Sequence, residues 1–239
     1  MYINRVMIQW EKVPENSYLN HIEALQGVRE IIFSKPITFF VGENGTGKST
    51  LLEAIAVAYG FNPEGGSRNY SFSTYDSHSE LCRALVLGKG ARRNRWGYFL
   101  RAESFYNVAT KEIDYSDELH PSMGLHMKSH GESFLAVVQN KLSSDGLYIL
   151  DEPEAALSPQ RQLTLMIEIK KALTAGAQFI IASHSPILLG YPDAAILSFD
   201  DGILHEVEYE ETESYQVTEL FINNREYLLS RILDEGGRE

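Results

Sequence analysis

The stretch Gly42-Glu43-Asn44-Gly45-Thr46-Gly47-Lys48-Ser49 decides how the surrounding chain is expected to fold. It follows the short apolar run 37–41, which is typical of a buried strand. It precedes residues 49–59, where apolar side chains recur at helical spacing up to Gly60, and glycine commonly ends helices. The order of strand, glycine-rich loop and helix predicts an α/β domain.

The same eight residues fit the P-loop pattern, and the flanking strand and helix are the context that this pattern requires. Glycines let backbone N–H groups surround phosphate oxygens, and the helix N-terminus adds a favourable dipole. Lys48 is expected to reach the β- and γ-phosphates, and the Ser49 hydroxyl to ligate Mg²⁺. The residues predicted to contact ATP here are Gly42, Glu43, Asn44, Gly45, Thr46, Gly47, Lys48, Ser49 and Thr50.

A second apolar run, residues 147–150, ends in the acidic sequence Asp151-Glu152-Pro153-Glu154. Sheets of α/β domains bind ligands at the carboxyl ends of their strands, so this run would deliver two adjacent carboxylates to the P-loop. We predict that Asp151 holds Mg²⁺ and that Glu152 polarises the attacking water. Taken alone, the same residues also fit a strand followed by an acidic helix start.

Length, composition and charge limit the classes of protein that fit. The 239 residues, 44% of them hydrophobic, are enough for one α/β domain with a substantial core. With 33 acidic and 21 basic residues the net charge is -12, so any contact with nucleic acid or anionic lipid must be local. Cys82 is the only cysteine, which excludes an internal disulfide and suits a reducing compartment. The start carries no leader pattern and no apolar run reaches the ~18 residues of a membrane span, so we expect no membrane insertion and a cytoplasmic location.

A third motif, Lys128-Ser129-His130-Gly131-Glu132, lies one helix, a turn and a strand ahead of Asp151. With this motif the sequence resembles the ABC-type ATPase superfamily, whose signature loop reads Leu-Ser-Gly-Gly followed by Gln or Glu. The first and third positions here depart from the usual Leu and Gly. The resemblance implies that Ser129, Gly131 and Glu132 contact the ATP of a partner subunit, with the following helix presenting its positive end to phosphate.

Three further positions match the superfamily in order. His184 follows the predicted strand 178–182, where the family carries a switch histidine that contacts the γ-phosphate and holds water together with Glu152. Residues 155–158 occupy the D-loop position without the Asp that often ends it, and Glu103 is the candidate for the Q-loop position, where Gln is usual. The predicted catalytic residues are thus Lys48, Glu152 and His184, and the predicted metal contacts are Ser49, Asp151 and Glu103.

The resemblance implies the fold of an ABC-type P-loop NTPase, with a mixed sheet flanked by helices and a small helical signature subdomain. We take residues 1–239 as a single domain in which about 61–143 form the helical insertion. The family also implies that two copies close head to tail around two Mg-ATP and open after hydrolysis. The Glu-Pro-Glu run with Leu157, Ser158 and Pro159, and the Gly-Glu ending of the signature, look more like the SMC, RecF and OLD-like branch than like transporter subunits.

Several functions remain open for the predicted closing motion. A switch acting on a protein or nucleic-acid partner, in DNA repair or phage defence, is favoured by the SMC-like motifs and by the basic run 89–95, which also fits a solvated turn. The ATP-binding subunit of a membrane transporter is disfavoured by the missing signature Gln and by Glu103. An intact Glu152 argues against a scaffold with little turnover. A P-loop kinase or GTPase has no use for the loop that carries His184, and no Asn-Lys-x-Asp run occurs.

Hydrophobic periodicity and turn residues predict the remaining elements. The predicted strands are 2–10, 96–100, and a hairpin formed by 195–199 and 203–209. The predicted helices are 78–87, 133–142, 159–175 and a closing helix over 217–233.

Overall fold

The computed structural model describes residues 1–67, 80–90, 96–101, 130–142 and 145–234. The strands in these ranges are β1 (Ile3–Ile8), β2 (Glu30–Ile32), β3 (Ile37–Val41), β4 (Gly66–Ser67), β5 (Leu85–Lys89), β6 (Gly97–Arg101), β7 (Leu147–Asp151), β8 (Gln178–Ala182), β9 (Ala195–Ser198) and β10 (His205–Glu206). The helices are α1 (Lys48–Tyr59), α2 (Leu81–Ala84), α3 (His130–Lys141), α4 (Pro159–Thr174), α5 (Pro186–Leu189), α6 (Glu213–Asn223) and α7 (Arg225–Asp234).

The larger of two sheets runs in the order β10-β9-β3-β8-β7-β6-β4. The five strands from β9 to β6 are parallel, while β10 and β4 pair antiparallel at the two edges. The prediction of an α/β domain with a mixed sheet is therefore confirmed. Because β3, β8 and β7 are neighbours, the P-loop, His184 and Asp151 all lie at the edge where the carboxyl ends of these strands meet.

Both faces of the larger sheet are covered, which explains why β3, β7 and β8 are buried at every position. On one face, α1 packs against β7 and β8 and also against β5 of the smaller sheet, in a core that includes Phe40 and Ile55. On the other face, α3 and α4 pack together over a core that includes Phe134 and Leu165. The P-loop helix is thus held between two sheets.

The smaller sheet is antiparallel and runs in the order β2-β1-β5. Gln178, at the start of β8, ties it to the larger sheet. Its Oε1 accepts hydrogen bonds from the Tyr2 N–H at 2.7 Å and the Ile3 N–H at 2.9 Å, and its Nε2 donates to the Ile3 carbonyl at 2.7 Å. Gln178 is fully buried, so these bonds satisfy polar groups that water does not reach.

The predicted helix over residues 78–87 is wrong over its last turn. The helix ends at Ala84, and residues 85–87 begin β5, where Leu87 lies opposite Val6 and Leu85 opposite Ile8 of β1. Leu85 also packs into the core around α1. Cross-strand pairing and burial therefore outweigh the local helical pattern. Residues 78 and 79 lie outside the described ranges.

The predicted closing helix over 217–233 is two helices. The first, α6, begins four residues earlier at Glu213 and ends at Asn223, and Asn224 adopts non-helical dihedrals of φ -132° and ψ 32°. The backbone N–H of Asn224 donates to the Leu220 carbonyl at 2.9 Å, and its side-chain amide contacts the same oxygen at 3.4 Å. Asparagine is a weak helix former that competes for backbone partners in this way, which explains the interruption.

The other predicted elements are present with shifted ends. The strand predicted over 203–209 is reduced to His205–Glu206, which pairs with β9 as the predicted hairpin. The region 61–143, predicted as the helical insertion, contributes β4, β5 and β6 to the two sheets as well as α2 and α3. Residues 102–129 lie outside the described part of the chain.

Candidate nucleotide and metal site

The P-loop connects β3 to α1 and depends on glycine at two crowded positions. Gly42 and Gly47 have φ values of 137° and 103°, a region that side chains disfavour. A Cβ at position 47 would lie 2.6 Å from Ile22 Cγ2, and one at position 42 would lie 3.0 Å from Asp200 Oδ1. Neighbouring residues therefore press directly on the loop, and only glycine fits it at these two positions.

Lys48, the first residue of α1, is buried and folds back over the loop. Its ammonium donates to the Gly42 carbonyl at 2.6 Å and to the Glu43 carbonyl at 2.7 Å. Burial lowers the pKa of Lys48, and the nearby carboxylates of Glu152 and Asp200 oppose that decrease. The site therefore holds a positive charge surrounded by carbonyl and carboxylate oxygens, next to backbone N–H groups suited to phosphate.

Ser49 and Asp151 meet across the site. The Ser49 Oγ donates to Asp151 Oδ1 at 2.9 Å, which joins the start of α1 to the end of β7. The other carboxylate oxygen, Asp151 Oδ2, lies 3.6 Å from Nε of Arg101, whose Nη1 lies 2.7 Å from Glu53 Oε2. The two oxygens of Asp151 thus face different partners, a hydroxyl on one side and a guanidinium on the other.

The paired oxygens of Ser49 and Asp151 fit Mg²⁺. This ion prefers oxygen ligands, keeps several waters, and is usually held by one or two carboxylates together with substrate phosphates. Within the described ranges, no cluster of three or more His, Cys, Asp or Glu side chains is arranged to hold a metal ion. A magnesium site shared between protein oxygens and a nucleotide agrees with that arrangement.

Glu152 and His184 come together on the same edge of the sheet. Glu152 adopts a left-handed conformation, with φ 49° and ψ 52°, and its N–H donates to the Ala182 carbonyl at 3.0 Å. The closest approach of the two side chains is 3.8 Å, between Glu152 Oε1 and His184 Nε2. Left-handed residues other than glycine are uncommon and concentrate at functional sites.

The surroundings of the His184 ring favour its neutral form. Burial lowers its pKa, the positive charge of Lys48 lowers it further, and Glu152 opposes the change. His184 Nε2 is buried and has no hydrogen-bond partner within the part of the chain that the structure describes. A neutral imidazole can direct one ring nitrogen at a phosphate oxygen or a water.

Two family models each match part of the chain. The model described as "AAA domain" matches residues 18–99, which include the P-loop. The model described as "AAA domain, putative AbiEii toxin, Type IV TA system" matches residues 133–190, which include Asp151, Glu152 and His184. Together the two matches include the P-loop and the acidic and histidine residues that lie next to it.

Curated relatives are ATP-binding proteins. The "Arabinose import ATP-binding protein AraG" of Pseudomonas savastanoi pv. phaseolicola is 28% identical over 183 residues, which is 68% of this chain and 36% of that protein. The "Galactose/methyl galactoside import ATP-binding protein MglA 2" of Photobacterium profundum is 27% identical over 184 residues, with the same coverage of both chains. This chain thus spans about a third of the length of these relatives.

Two solved structures are similar to this chain. The structure titled "cbiO1 from clostridium perfringens: Part of the ABC transporter complex cbiONQ" superposes with a TM-score of 0.51 at 16% identity, covering 95% of this chain and 97% of that one. The "SMC head domain from Thermotoga maritima" gives a TM-score of 0.46 at 15% identity, covering 87% and 99%. The likeness to the first of these structures shows that this chain has the fold of an ABC-type ATPase domain. Its predicted fold class is therefore confirmed.

Asp200 is a site residue that sequence reasoning missed, and it anchors the P-loop. Its Oδ1 accepts a hydrogen bond from the Glu43 N–H at 2.8 Å, and its Oδ2 accepts one from the Ser198 hydroxyl at 3.2 Å. The sequence predicted only a hairpin turn at 200–202. Finding Asp200 requires knowing that β9 lies beside β3, and nothing in the local sequence states that pairing.

Arg101 and Glu154 were also missed as contributors to this site. Arg101 ends β6 next to Asp151, and Glu154 accepts a hydrogen bond from the His184 N–H at 2.5 Å. A charged residue at the carboxyl end of a predicted central strand is the signal that could have drawn attention to Arg101. Glu154 stood inside the acidic motif, but its partner lies 30 positions away along the chain.

Two cavities adjoin the P-loop. The larger, of about 730 Å³, lies between residues 43–46, residues 198–202, a segment at 21–24 and the start of α6. The smaller, of about 260 Å³, lies between Gly42, His184 and Thr212 to Ser214. Ligand pockets commonly have volumes of about 300–1,000 Å³, so together they offer room for the remainder of a nucleotide.

The positions predicted to act across a subunit interface lie largely outside the described ranges. Ser129 and Glu103 are not among the described residues. Gly131 and Glu132 lie in the first turn of α3, where only the backbone is described. Thr50 follows Ser49 in the first turn of α1. The roles of these four residues stay predictions.

Proposed function

We propose that this chain binds ATP together with Mg²⁺ and hydrolyses it to ADP and phosphate. The observation that carries the proposal is the meeting of Lys48, the Ser49–Asp151 pair and the Glu152–His184 pair at one edge of the sheet. Phosphoryl transfer needs little covalent chemistry from a protein and depends on positioning and charge stabilisation. These residues supply both.

The phosphate end of the nucleotide is held by α1 and the loop before it. Backbone N–H groups of the P-loop and the dipole of α1 face the phosphates, and the Lys48 ammonium exchanges its carbonyl partners for phosphate oxygens. Ser49 Oγ and Asp151 Oδ1 would ligate Mg²⁺, which offsets negative charge on the β- and γ-phosphates when bound. Arg101 Nε lies 3.6 Å from the second oxygen, Asp151 Oδ2, whereas Oδ1 lies beside Ser49 Oγ.

Water activation falls to Glu152 and His184. The Glu152 carboxylate orients a water and takes its proton as the water oxygen bonds to the γ-phosphorus and the bond to the β–γ bridging oxygen breaks. The neutral His184 ring directs a nitrogen at the γ-phosphate. Their 3.8 Å separation is too long for a direct hydrogen bond and leaves both groups available to substrate.

We extend the proposal to a head-to-tail homodimer that closes on ATP. In this arrangement Ser129, Gly131 and Glu132 of the second copy contact the γ-phosphate. Two observations support it: the Glu152 and His184 side chains are 42% and 38% exposed, and the smaller cavity lies directly beside His184. A second copy would exclude water from this face, which strengthens electrostatic stabilisation of the transition state.

Sedimentation of Glu152→Gln with and without Mg-ATP tests the dimer. The substitution removes the proton acceptor but keeps the size of the side chain, so we expect ATP to stay bound and the protein to sediment as a dimer only with Mg-ATP. Glu30→Gln is the matched control, because Glu30 pairs with Arg5 on the smaller sheet, away from the site. A Glu152→Gln protein that stays monomeric at saturating ATP would rule out the ATP-closed dimer.

ATP turnover of the wild-type protein distinguishes a nucleic-acid partner from a protein partner. We propose that the cycle acts on a protein or nucleic-acid partner, in DNA repair or phage defence, as the SMC-like motifs and the basic run 89–95 favour. Lys89 is the described member of that run, and its ammonium lies 5.0 Å from the centre of the Tyr59 ring. Wild-type ATP turnover that rises with added DNA supports nucleic acid, and unchanged turnover favours a protein partner.

A transporter subunit is the second candidate function, since curated relatives carry the word "import" in their names. Within the described ranges, no helix is both long and apolar enough to span a membrane. This candidate therefore requires a separate membrane protein as partner. Co-purification of the chain with membranes in an ATP-dependent manner would favour it over the switch. The cytoplasmic location and the single domain 1–239 stay predictions.

A further inference from the structure

The loop that carries His184 is short and is held mainly by side chains. β8 ends at Ala182 and α5 begins at Pro186, so three residues, Ser183 to Ser185, connect them. The position of the His184 ring relative to Glu152 depends on how this loop is fixed. Two separate clamps fix its two ends, and they come from the segment that follows β7.

The first clamp is Glu154, in the 3₁₀ turn directly after Glu152. Glu154 Oε1 accepts a hydrogen bond from the His184 backbone N–H at 2.5 Å. Burial raises the pKa of Glu154, and the His184 N–H opposes that increase together with the Ser183 hydroxyl. Charge-assisted hydrogen bonds of this kind are among the stronger ones in proteins.

The second clamp is Gln162 of α4, which holds the far end of the loop. Ser185 Oγ contacts Gln162 Oε1 at 2.5 Å, and Gln162 Nε2 donates to the Leu157 carbonyl at 3.2 Å. Ser185 Oγ also accepts from the backbone N–H groups of Ile187 and Leu188 and so caps α5. The end of the loop near α5 is therefore fixed independently of Glu154.

Burying the Glu154 carboxylate carries a free-energy penalty for desolvation. Glu154 Oε2 is buried and has no hydrogen-bond partner among the described residues. An unsatisfied buried polar atom destabilises a fold, so an apolar side chain would suit stability better. The carboxylate directly connects the 3₁₀ turn after Glu152 with the His184 backbone N–H.

We propose that Glu154 is a positioning residue that sets the His184 ring against Glu152 for the hydrolytic step. The proposal rests on the function proposed above. Glu154 touches neither reacting atoms nor metal; it acts through the backbone of His184. Without Glu154 the His184 N–H loses its acceptor, while the Ser183 N–H keeps its hydrogen bond to the Phe40 carbonyl at 3.1 Å. Ser185, α5 and the P-loop also keep their contacts, so turnover should change more than ATP binding.

Steady-state ATPase kinetics of Glu154→Ala, Glu154→Gln and Glu154→Asp test the proposal. We expect Glu154→Ala to lower kcat by roughly 10- to 100-fold with KM for ATP changed by less than about twofold, the pattern of a lost positioning interaction. Glu154→Gln keeps an oxygen at the same reach and should restore kcat to within about threefold of wild type. Glu154→Asp keeps the charge but is shorter, so it should resemble Glu154→Ala.

A double-mutant cycle with His184→Ala supplies the readout that a purely structural role would not move. If Glu154 acts through His184, adding Glu154→Ala to His184→Ala lowers kcat no further than about twofold. Glu30→Ala, which removes a carboxylate from an exposed ion pair on the smaller sheet, is the control for nonspecific loss. Thermal melts of all variants separate folding from catalysis, and the Gln and Asp variants carry the test if Glu154→Ala does not fold.

Failure of the positioning role of Glu154 can be distinguished from failure of the proposed function. Effects of Glu154→Ala and His184→Ala that multiply in the double variant overturn the positioning role, as does a Glu154→Gln enzyme as slow as Glu154→Asp. A His184→Ala enzyme with wild-type kcat instead contradicts the role of His184 in the proposed function. A KM that rises while kcat is unchanged in Glu154→Ala assigns Glu154 to nucleotide binding and also overturns the proposal.

Discussion

Ser49 Oγ donates a hydrogen bond to Asp151 Oδ1 over 2.9 Å, although the two residues are 102 positions apart. The bond joins α1 to the end of β7. In the larger sheet, β7 lies two places from β3, the strand that precedes the P-loop. Because Asp151 Oδ2 faces Arg101, the hydroxyl and Oδ1 form a defined pair of hard oxygen ligands. We expect Mg²⁺ to bind at this pair.

The first prediction concerns this pair. We expect Ser49→Ala to raise the Mg²⁺ concentration for half-maximal ATP turnover by about tenfold or more, because one of two protein ligands is lost. Ser49→Thr keeps the hydroxyl and should stay within about threefold of wild type. Titration of turnover with Mg²⁺ at fixed ATP measures both. Equal Mg²⁺ requirements for Ser49→Ala and wild type would contradict the assignment.

The second prediction concerns Asp200, which holds the first turn of the P-loop through the Glu43 N–H. We expect Asp200→Ala to weaken ATP binding by about tenfold, which corresponds to about 1.4 kcal/mol, the scale of one hydrogen bond to a charged group. Calorimetric titration with a non-hydrolysable ATP analogue measures the change.

Asp200→Asn is the matched control, since its amide oxygen can accept the same hydrogen bond from Glu43. It should retain most of the affinity and show whether the acceptor or the charge matters. The opposite result, with Asn as weak as Ala, would mean that the negative charge near Lys48 sets the affinity and not the anchoring of the loop.

Local patterns were sufficient to predict the centre of the site. The P-loop and the acidic run each combine a short apolar strand with a defined chemical signature, so Lys48, Ser49, Asp151 and Glu152 could be located from spacing alone. Their roles in catalysis stay predictions, but the structure brings them together. His184 was located through its resemblance to a family motif, and it lies beside Glu152 at 3.8 Å.

The contributions of Asp200, Arg101 and Glu154 depend on strand order, which local patterns do not specify. Each contacts a residue far away in the chain, and each contact exists only because β9, β6 or β8 lies next to a particular neighbour. The strand β5 was misassigned for the same reason: its partner β1 lies some 80 positions earlier. Tertiary pairing therefore decides what periodicity alone leaves ambiguous.

The third prediction concerns the junction of the two sheets at Gln178. We expect Gln178→Leu to lower the free energy of unfolding by about 2–4 kcal/mol, because the Tyr2 and Ile3 N–H groups and the Ile3 carbonyl lose their buried partner. Urea denaturation followed by circular dichroism measures the loss. Gln216→Leu is the control, because the Gln216 side-chain amide donates to the exposed Glu210 carbonyl at 3.2 Å. A loss no larger than that of the control would show that the sheets hold together without this link.

The last prediction concerns the pH dependence that His184 imposes on stability. Burial, and next to it the charge of Lys48, lowers the pKa of His184 below the ordinary value of 6.5. As the pH falls below 6.5, the unfolded chain binds a proton at this position while the folded chain does not. Unfolding therefore becomes more favourable, and this contribution to stability, fully present above 6.5, is lost as the pH falls toward the folded-state pKa.

Comparing wild type with His184→Gln isolates this contribution, because every other group titrates in both proteins. We expect the stability of wild type relative to the variant to fall by less than about 1.4 kcal/mol per pH unit below neutrality, since partial exposure of the ring weakens the effect. Denaturation midpoints measured between pH 5.5 and 7.5, at about one-half unit steps, give the slope. Parallel curves for the two proteins would mean that the ring is protonated as easily in the folded chain as in the unfolded one, and the neutral imidazole assigned to the γ-phosphate contact would have to be abandoned.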